Sequence, residues 1–210
     1  MRSCRSEARR PLSPSLYLLH SLRLRHRSCS LLQGVSGTGK STLGAALAGA
    51  LHLPFIDGDD LHPAANVAKM ARGEPLGDGE RQPWLETIRK TAMARVVAQL
   101  EQTGEREGRV GVIVACSALK KAYRAVLRGE ADVVSLPTYF VYLKGEREVL
   151  LARMQHRTGH FMKAGMLASQ LDTLESPEGE PGVVTVDVDM STAAQVQRVV
   201  ELLGSSSPYL

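Results

Sequence analysis

The chain has no apolar run approaching the eighteen or so residues that a membrane-crossing helix needs, so no span is expected. Cysteine is scarce. Three in 210 residues, an odd count, argue against a disulfide framework and for a reducing compartment. There is no internal repeat and no sign of a second domain; the length suffices for one domain with a real core.

Acid is missing from one region. Residues 1–30 hold seven arginines (2, 5, 9, 10, 23, 25 and 27) against Glu7, a balance of +6. The whole chain is +4, so the remaining 180 residues carry 19 basic and 21 acidic groups, or −2. The basic character therefore belongs to a leader, and the body offers no nucleic-acid surface. A leader rich in Arg, Ser and Leu and nearly free of acid has the composition of a mitochondrial transit peptide. The alternative, given more weight, is a disordered or alternatively spliced leader without an address, which leaves the protein cytoplasmic.

What is present begins with Gly34-Val35-Ser36-Gly37-Thr38-Gly39-Lys40-Ser41, which fits G-x-x-x-x-G-K-[ST], the phosphate-binding loop of nucleoside triphosphate enzymes. Glycines 34, 37 and 39 let the backbone curl so that successive N–H groups point inward at an anion. Lys40 then reaches the β- and γ-phosphates, and the Ser41 hydroxyl is placed to ligate Mg²⁺. A helix must follow, adding its positive N-terminal end to the cradle, and Leu43, Leu47 and Leu51 give it one apolar face. ATP and Mg²⁺ are the expected cofactors, with the cradle running from Gly34 through Thr42. Ahead of it only Leu31 and Leu32 precede Gln33. A weak first strand is expected, with the leader replacing part of it where the site is anchored.

Further apolar runs at 53–56, 110–116, 139–143 and 183–188 read as strands. Helical segments are expected at 62–72, from near Pro83, at 119–128 and at 146–157, with Val196, Val199, Val200 and Leu203 facing inward from a closing helix. The alternation implies an α/β fold: a five-stranded parallel sheet with helices on both faces. Right-handed crossovers put the strand C-termini along one edge, which gathers the loop at 34–41, the acids at 57–59 and the Cys116-Ser117 turn.

A carboxylate is absent where many such proteins carry it, at the end of the central strand, which here closes in Ala115-Cys116-Ser117. The acids appear instead as Asp57-x-Asp59. On an extended segment, residues two apart point the same way. One of the pair suits the Mg²⁺ shell, and the other suits orienting or deprotonating an attacking hydroxyl. A solvated acidic turn is the competing reading.

Several longer stretches then occur in order. They are Asp57-Gly58-Asp59-Asp60-Leu61-His62-Pro63, Met70-Ala71-Arg72-Gly73-Glu74-Pro75-Leu76 and Asp78-x-x-Arg81-x-Pro83-Trp84-Leu85. Cys116-Ser117-Ala118-Leu119-Lys120-x-x-Tyr123-Arg124, Tyr142-Leu143-Lys144-Gly145, His160-Phe161-Met162, Ser169-Gln170-Leu171 and Thr173-Leu174-Glu175 follow. Together with the phosphate loop, from about residue 32 to 203, they resemble the gluconokinase family.

That resemblance implies a three-layer P-loop kinase fold like that of shikimate kinase, with a small lid around 153–170 in a domain spanning 31–205 and a tail at 206–210. It implies ATP-dependent phosphorylation of D-gluconate at its 6-hydroxyl, with small-molecule partners, no nucleic acid or membrane, and a homodimer. Lys40, Asp59, Arg153 and Arg157 would be catalytic. Ser41 and Asp57 would organise Mg²⁺. Asp59, His62, Arg81, Lys120, Arg124 and His160 would meet the substrate, and Trp84 would pack beneath the substrate loop. Gly77 and Gly79-Glu80 depart from the family pattern and are expected to loosen the substrate loop, and Leu171 stands where the family frequently has an aromatic residue. A shikimate or nucleoside monophosphate kinase, or a non-catalytic nucleotide-binding isoform, are the alternatives.

Overall fold

Five strands form one sheet: β1 (Arg27–Gln33), β2 (Phe55–Asp57), β3 (Val110–Ala115), β4 (Thr138–Lys144) and β5 (Val183–Asp187). Their order is β2-β3-β1-β4-β5 and every pairing is parallel. The computed structural model describes residues 27–103, 110–129, 136–155 and 164–206. The helices are α1 (Lys40–Leu51), α2 (Ala64–Ala71), α3 (Asp78–Thr103), α4 (Lys121–Arg128), α5 (Arg147–Gln155), α6 (Ala164–Thr173) and α7 (Thr192–Ser206), with a 3-10 turn at Gly58–Leu61.

Alternation along the strands divides the core into two layers. Leu32, Ile113, Val141 and Val186 face α1 and α7, where Leu43, Leu47, Val199 and Leu203 meet them. Leu31, Val112, Val114 and Phe140 face the opposite way, onto Trp84, Leu85, Ile88 and Val96 of α3 and Tyr123 and Leu127 of α4. At about 1.5–3 kcal/mol for each fully buried large side chain, these two layers supply the driving force for the fold. The helix behind the phosphate loop lies so close to the sheet that a Cβ on Gly44 would come within 2.3 Å of Phe55 and 2.8 Å of Leu32.

Two expectations are corrected. First, β1 begins at Arg27, so residues 27–30 of the expected leader lie in the sheet. The strand is not truncated: it pairs with β3 from Arg27↔Val110 to Leu32↔Ala115 and with β4 from Cys29↔Thr138 to Gln33↔Tyr142. A central parallel strand takes backbone hydrogen bonds from both neighbours whatever its side chains, and the small Ser28 and Ser30 do not obstruct them. The weakness lies elsewhere. Gln33 is fully buried, and both its amide atoms lack a hydrogen-bond partner among the described residues.

Second, α3 starts at Asp78, five residues before Pro83, which sits inside the helix. The carbonyl that Pro83 leaves without a donor belongs to Gly79, which is exposed to solvent. The helix α6 is one that the apolar pattern does not announce. Among the described residues no helix is long and apolar enough to cross a membrane.

Candidate active site

The phosphate loop leaves β1 through Gly34, Gly37 and Gly39, whose φ values of +151°, +85° and +89° are open to glycine at little cost. Gly39 caps α1 without a side chain, so the first N–H groups of that helix stay available to an anion. Thr38 braces the loop by donating to the Val35 carbonyl at 2.9 Å. Lys40 curls back over it, donating to the carbonyls of Gly34 at 3.0 Å and Val35 at 2.9 Å. Ser41 and Thr42 open α1 on its exposed side.

Across the sheet edge, Asp57 ends β2 and accepts two hydrogen bonds. One comes from the Ser41 hydroxyl at 2.6 Å, the other from the Asp59 N–H at 3.1 Å. Glycine is required between the two acids because a Cβ on Gly58 would lie 2.5 Å from the Ala115 carbonyl. The Gly58 carbonyl accepts from the Trp84 indole at 2.7 Å, and the Trp84 ring stacks on His62 with centroids 4.0 Å apart. Trp84 is thus the buried anchor expected of it.

Burial pushes the Cys116 thiol up to about 12, and after a backbone hydrogen bond from Ala118 the next influences on it are Asp59, Lys40 and Arg81. His62 is lowered to about 4, chiefly by burial and then by Arg81, so its imidazole is neutral at pH 7. Its Nδ1 is buried and has no hydrogen-bond partner among the described residues.

Arg81 is anchored through Nε to the Leu76 carbonyl at 3.2 Å, and its guanidinium lies 5.8 Å from the Tyr123 ring centroid. Lys120 donates to both oxygens of Asp78, at 2.8 and 2.9 Å, and the Tyr123 hydroxyl donates to the same carboxylate. Arg153, at the end of α5, donates to the Val188 carbonyl at 2.6 Å beyond the end of β5. Its neighbours Leu150 and Met154 approach Gly37, placing α5 beside the phosphate loop. Arg157 and His160, with much of the expected lid, lie outside the described residues.

Arg124 is a correction. Expected at the ligand edge, it is 0% exposed, and its guanidinium donates to Glu180 (3.0 and 2.5 Å) and to the carbonyls of Ala118 and Leu119. A guanidinium spent on a buried carboxylate and two carbonyls has no face left for a substrate. It holds the Cys116–Lys120 loop instead.

Three site residues carried no assigned role in the sequence. Gln170 of α6 is buried and accepts the Ser36 N–H at 2.7 Å, tying that helix to the phosphate loop. Asp78 and Tyr123 form the cluster with Lys120. All three stood inside the ordered motif stretches, so motif membership was the signal; which atoms they touch was not readable.

Ser41 and Asp57 fit a Mg²⁺ ion, which keeps most of its water and takes one or two carboxylates plus phosphate oxygens. No group of three or more His, Cys, Asp or Glu side chains is placed to hold a metal among the described residues.

Comparison with known proteins follows this geometry. A family model described as an AAA domain matches residues 30–177. The thermoresistant gluconokinase of Escherichia coli (strain K12) is 42% identical over 174 residues, covering 82% of this chain and 91% of that protein. The gluconokinase of Gluconobacter oxydans (strain 621H) is 43% identical over 156 residues, covering 74% and 80%. A crystal structure of a gluconokinase from Sinorhizobium meliloti 1021 superposes with a TM-score of 0.68 at 42% identity, over 88% of this chain and 95% of that one. The Mycobacterium tuberculosis APS kinase, at 17% identity and a TM-score of 0.60, shares the fold alone.

Proposed function

The chain belongs to the gluconokinase family, and from that premise we propose that the cleft between the phosphate loop and Asp59 transfers the γ-phosphoryl group of ATP to the 6-hydroxyl of D-gluconate. The observation that carries this reading is the contact between Ser41 and Asp57, which brings the nucleotide cradle and the acidic turn together at 2.6 Å. It supports a role for Asp59, two residues on, at the γ-phosphate.

Lys40 leaves the Gly34 and Val35 carbonyls for the β- and γ-phosphates, and the loop and α1 N–H groups bind the remaining oxygens. Bound Mg²⁺, held by Ser41 and Asp57, would offset phosphate charge. Asp59 orients the 6-hydroxyl and accepts its proton as the oxygen attacks phosphorus and the bond to the β-phosphate oxygen breaks, releasing ADP. His62 offers a neutral imidazole to a substrate hydroxyl, while Arg81 and Lys120 provide the cationic end that an acid substrate needs. Arg153 reaches the nucleotide once it releases Val188.

Cytoplasmic location accords with Cys29 and Cys116, both buried and unpaired. The homodimer implied by the resemblance completes the proposal. ADP release by the purified chain, followed over a panel of D-gluconate, shikimate and nucleoside monophosphates, tests the substrate. Turnover confined to gluconate supports the reading, and turnover of shikimate or a nucleotide in its place overturns it.

A further inference from the structure

In the structure the carboxylate of Asp78 is held by a cation and a hydroxyl from another element. Lys120 meets both of its oxygens and Tyr123 donates its hydroxyl to one of them. Two cations approach the Tyr123 ring, Lys120 Nζ at 5.5 Å and the Arg81 guanidinium at 5.8 Å from its centroid. Arg81 is nearly buried, is fixed only through Nε, and has no acceptor for its terminal nitrogens among the described residues. A planar carboxylate with a lysine, a tyrosine hydroxyl and an arginine around it is the recognition pattern for an acid ligand.

The position along the cleft has meaning. Trp84, three residues after Arg81 on α3, donates to the Gly58 carbonyl between the two acids, while the Arg81 guanidinium lies 5.8 Å from the Tyr123 ring centroid. The first turns of α3 therefore run between the acid turn and the cluster of Tyr123 and Lys120. Gluconate has its reacting hydroxyl at one end and its carboxylate at the other, and the cleft presents an acid and then cations in the matching order.

We propose that Lys120, Tyr123 and Arg81 form the subsite for the substrate's carboxylate, and that Asp78 is an internal occupant of that subsite which the incoming acid displaces. This rests on the gluconokinase reading above. Three features suit a displaceable occupant. The Asp78 side chain is 67% exposed, so its ion pair is screened and weak. It lies in the first turn of α3, where few contacts must be broken. Gly77 and Gly79 flank it, and a Cβ would meet only the Glu80 carboxylate at 3.6 Å at the first and nothing within 4 Å at the second. Glycine is not demanded by space at either position, and what it supplies is backbone freedom around Asp78.

The test compares steady-state kinetics with D-gluconate and its uncharged analogue D-gluconamide for the full chain and for Asp78→Ala, Asp78→Asn, Lys120→Met and Tyr123→Phe. Removing an occupant should lower the gluconate KM in Asp78→Ala by about two- to fivefold, the size of one exposed ion pair, with ATP KM unchanged. Asp78→Asn should lower it less, since an amide still accepts from Tyr123. Lys120→Met and Tyr123→Phe should raise the gluconate KM and narrow the gap between gluconate and gluconamide. A gluconate KM that rises or stays level in Asp78→Ala overturns the inference, because Asp78 would then be holding Lys120 in place for the substrate. An undiminished preference for gluconate over gluconamide in Lys120→Met overturns it as well. Absence of gluconate turnover in the unaltered chain would instead overturn the underlying reading, so the two failures are told apart.

Discussion

The hydroxyl of Ser41 donates to the carboxylate of Asp57 across 2.6 Å, joining the first turn of α1 to the end of β2. Two strand exits separated by β3 are tied at the point where a triphosphate and its metal would meet the acceptor alcohol. Because Asp57 also accepts the Asp59 N–H, the metal-side acid fixes the backbone of the acid proposed to handle the proton. On that contact the two carboxylates are proposed to divide the work, Asp57 at the metal and Asp59 at the proton.

Asp59→Asn tests that division. The amide keeps the size of the side chain and removes its basicity, so turnover should fall by roughly 10²- to 10⁴-fold, the usual worth of a positioned base. ATP affinity, read by calorimetry, should change little. An equal loss in turnover and ATP affinity would assign Asp59 to the nucleotide.

Gln33→Leu should stabilise the protein. Both polar atoms of the Gln33 side chain are buried without partners, and an unsatisfied buried polar group costs about 1–3 kcal/mol. Replacing it with an apolar group of similar size should raise the melting temperature by about 2–4 °C for each kcal/mol recovered. A lower melting temperature would show that the amide is satisfied in solution, by a buried water for instance.

Arg124→Met should lower stability by about 3–5 kcal/mol in chemical denaturation, because it strands the largely buried Glu180 and frees the Ala118 and Leu119 carbonyls. Unchanged stability with weakened gluconate binding would return Arg124 to substrate contact.

His62 gives the pH dependence. Its pKa is about 4 in the folded chain against 6.5 ordinarily, so between those values the unfolded chain binds the extra proton. Stability from this group is therefore level above pH 6.5 and declines as pH falls toward 4. Glu180, Glu80 and Asp78 have carboxyls lowered by their cationic partners, and their contributions are lost at more acid pH, so the His62 share is read as a difference. The melting temperature of the unaltered chain minus that of His62→Phe should drop between pH 6.5 and 4. A flat difference would contradict the neutral imidazole.

The phosphate loop and the sheet were legible because each depends on local spacing, glycines that must adopt positive φ and apolar runs; the acids two apart are there, but Asp59 stands on the 3-10 turn Gly58–Leu61 rather than on the extended segment expected. Gly58 shows why the acid motif is so constrained, since its missing side chain makes room for the Ala115 carbonyl. Arg124 was misread because its partner, Glu180, is 56 residues downstream, and a cation just inside α4 looks the same from sequence whether it faces ligand or core. The start of β1 was hidden by Arg27, Ser28 and Ser30, whose polarity conceals a strand held by its neighbours' backbones. Gln170 and Asp78 act through contacts between elements that no local pattern records.

The most direct test is gluconate-dependent ADP release by the purified chain with ATP and Mg²⁺, run beside Lys40→Met. Expected is turnover that rises and saturates with D-gluconate in the unaltered protein and vanishes in Lys40→Met, with the variant's circular dichroism and melting temperature close to those of the original. Gluconate-dependent release that survives in Lys40→Met, or none in the unaltered chain, would contradict a phosphate loop and an acid pair working as a gluconate kinase.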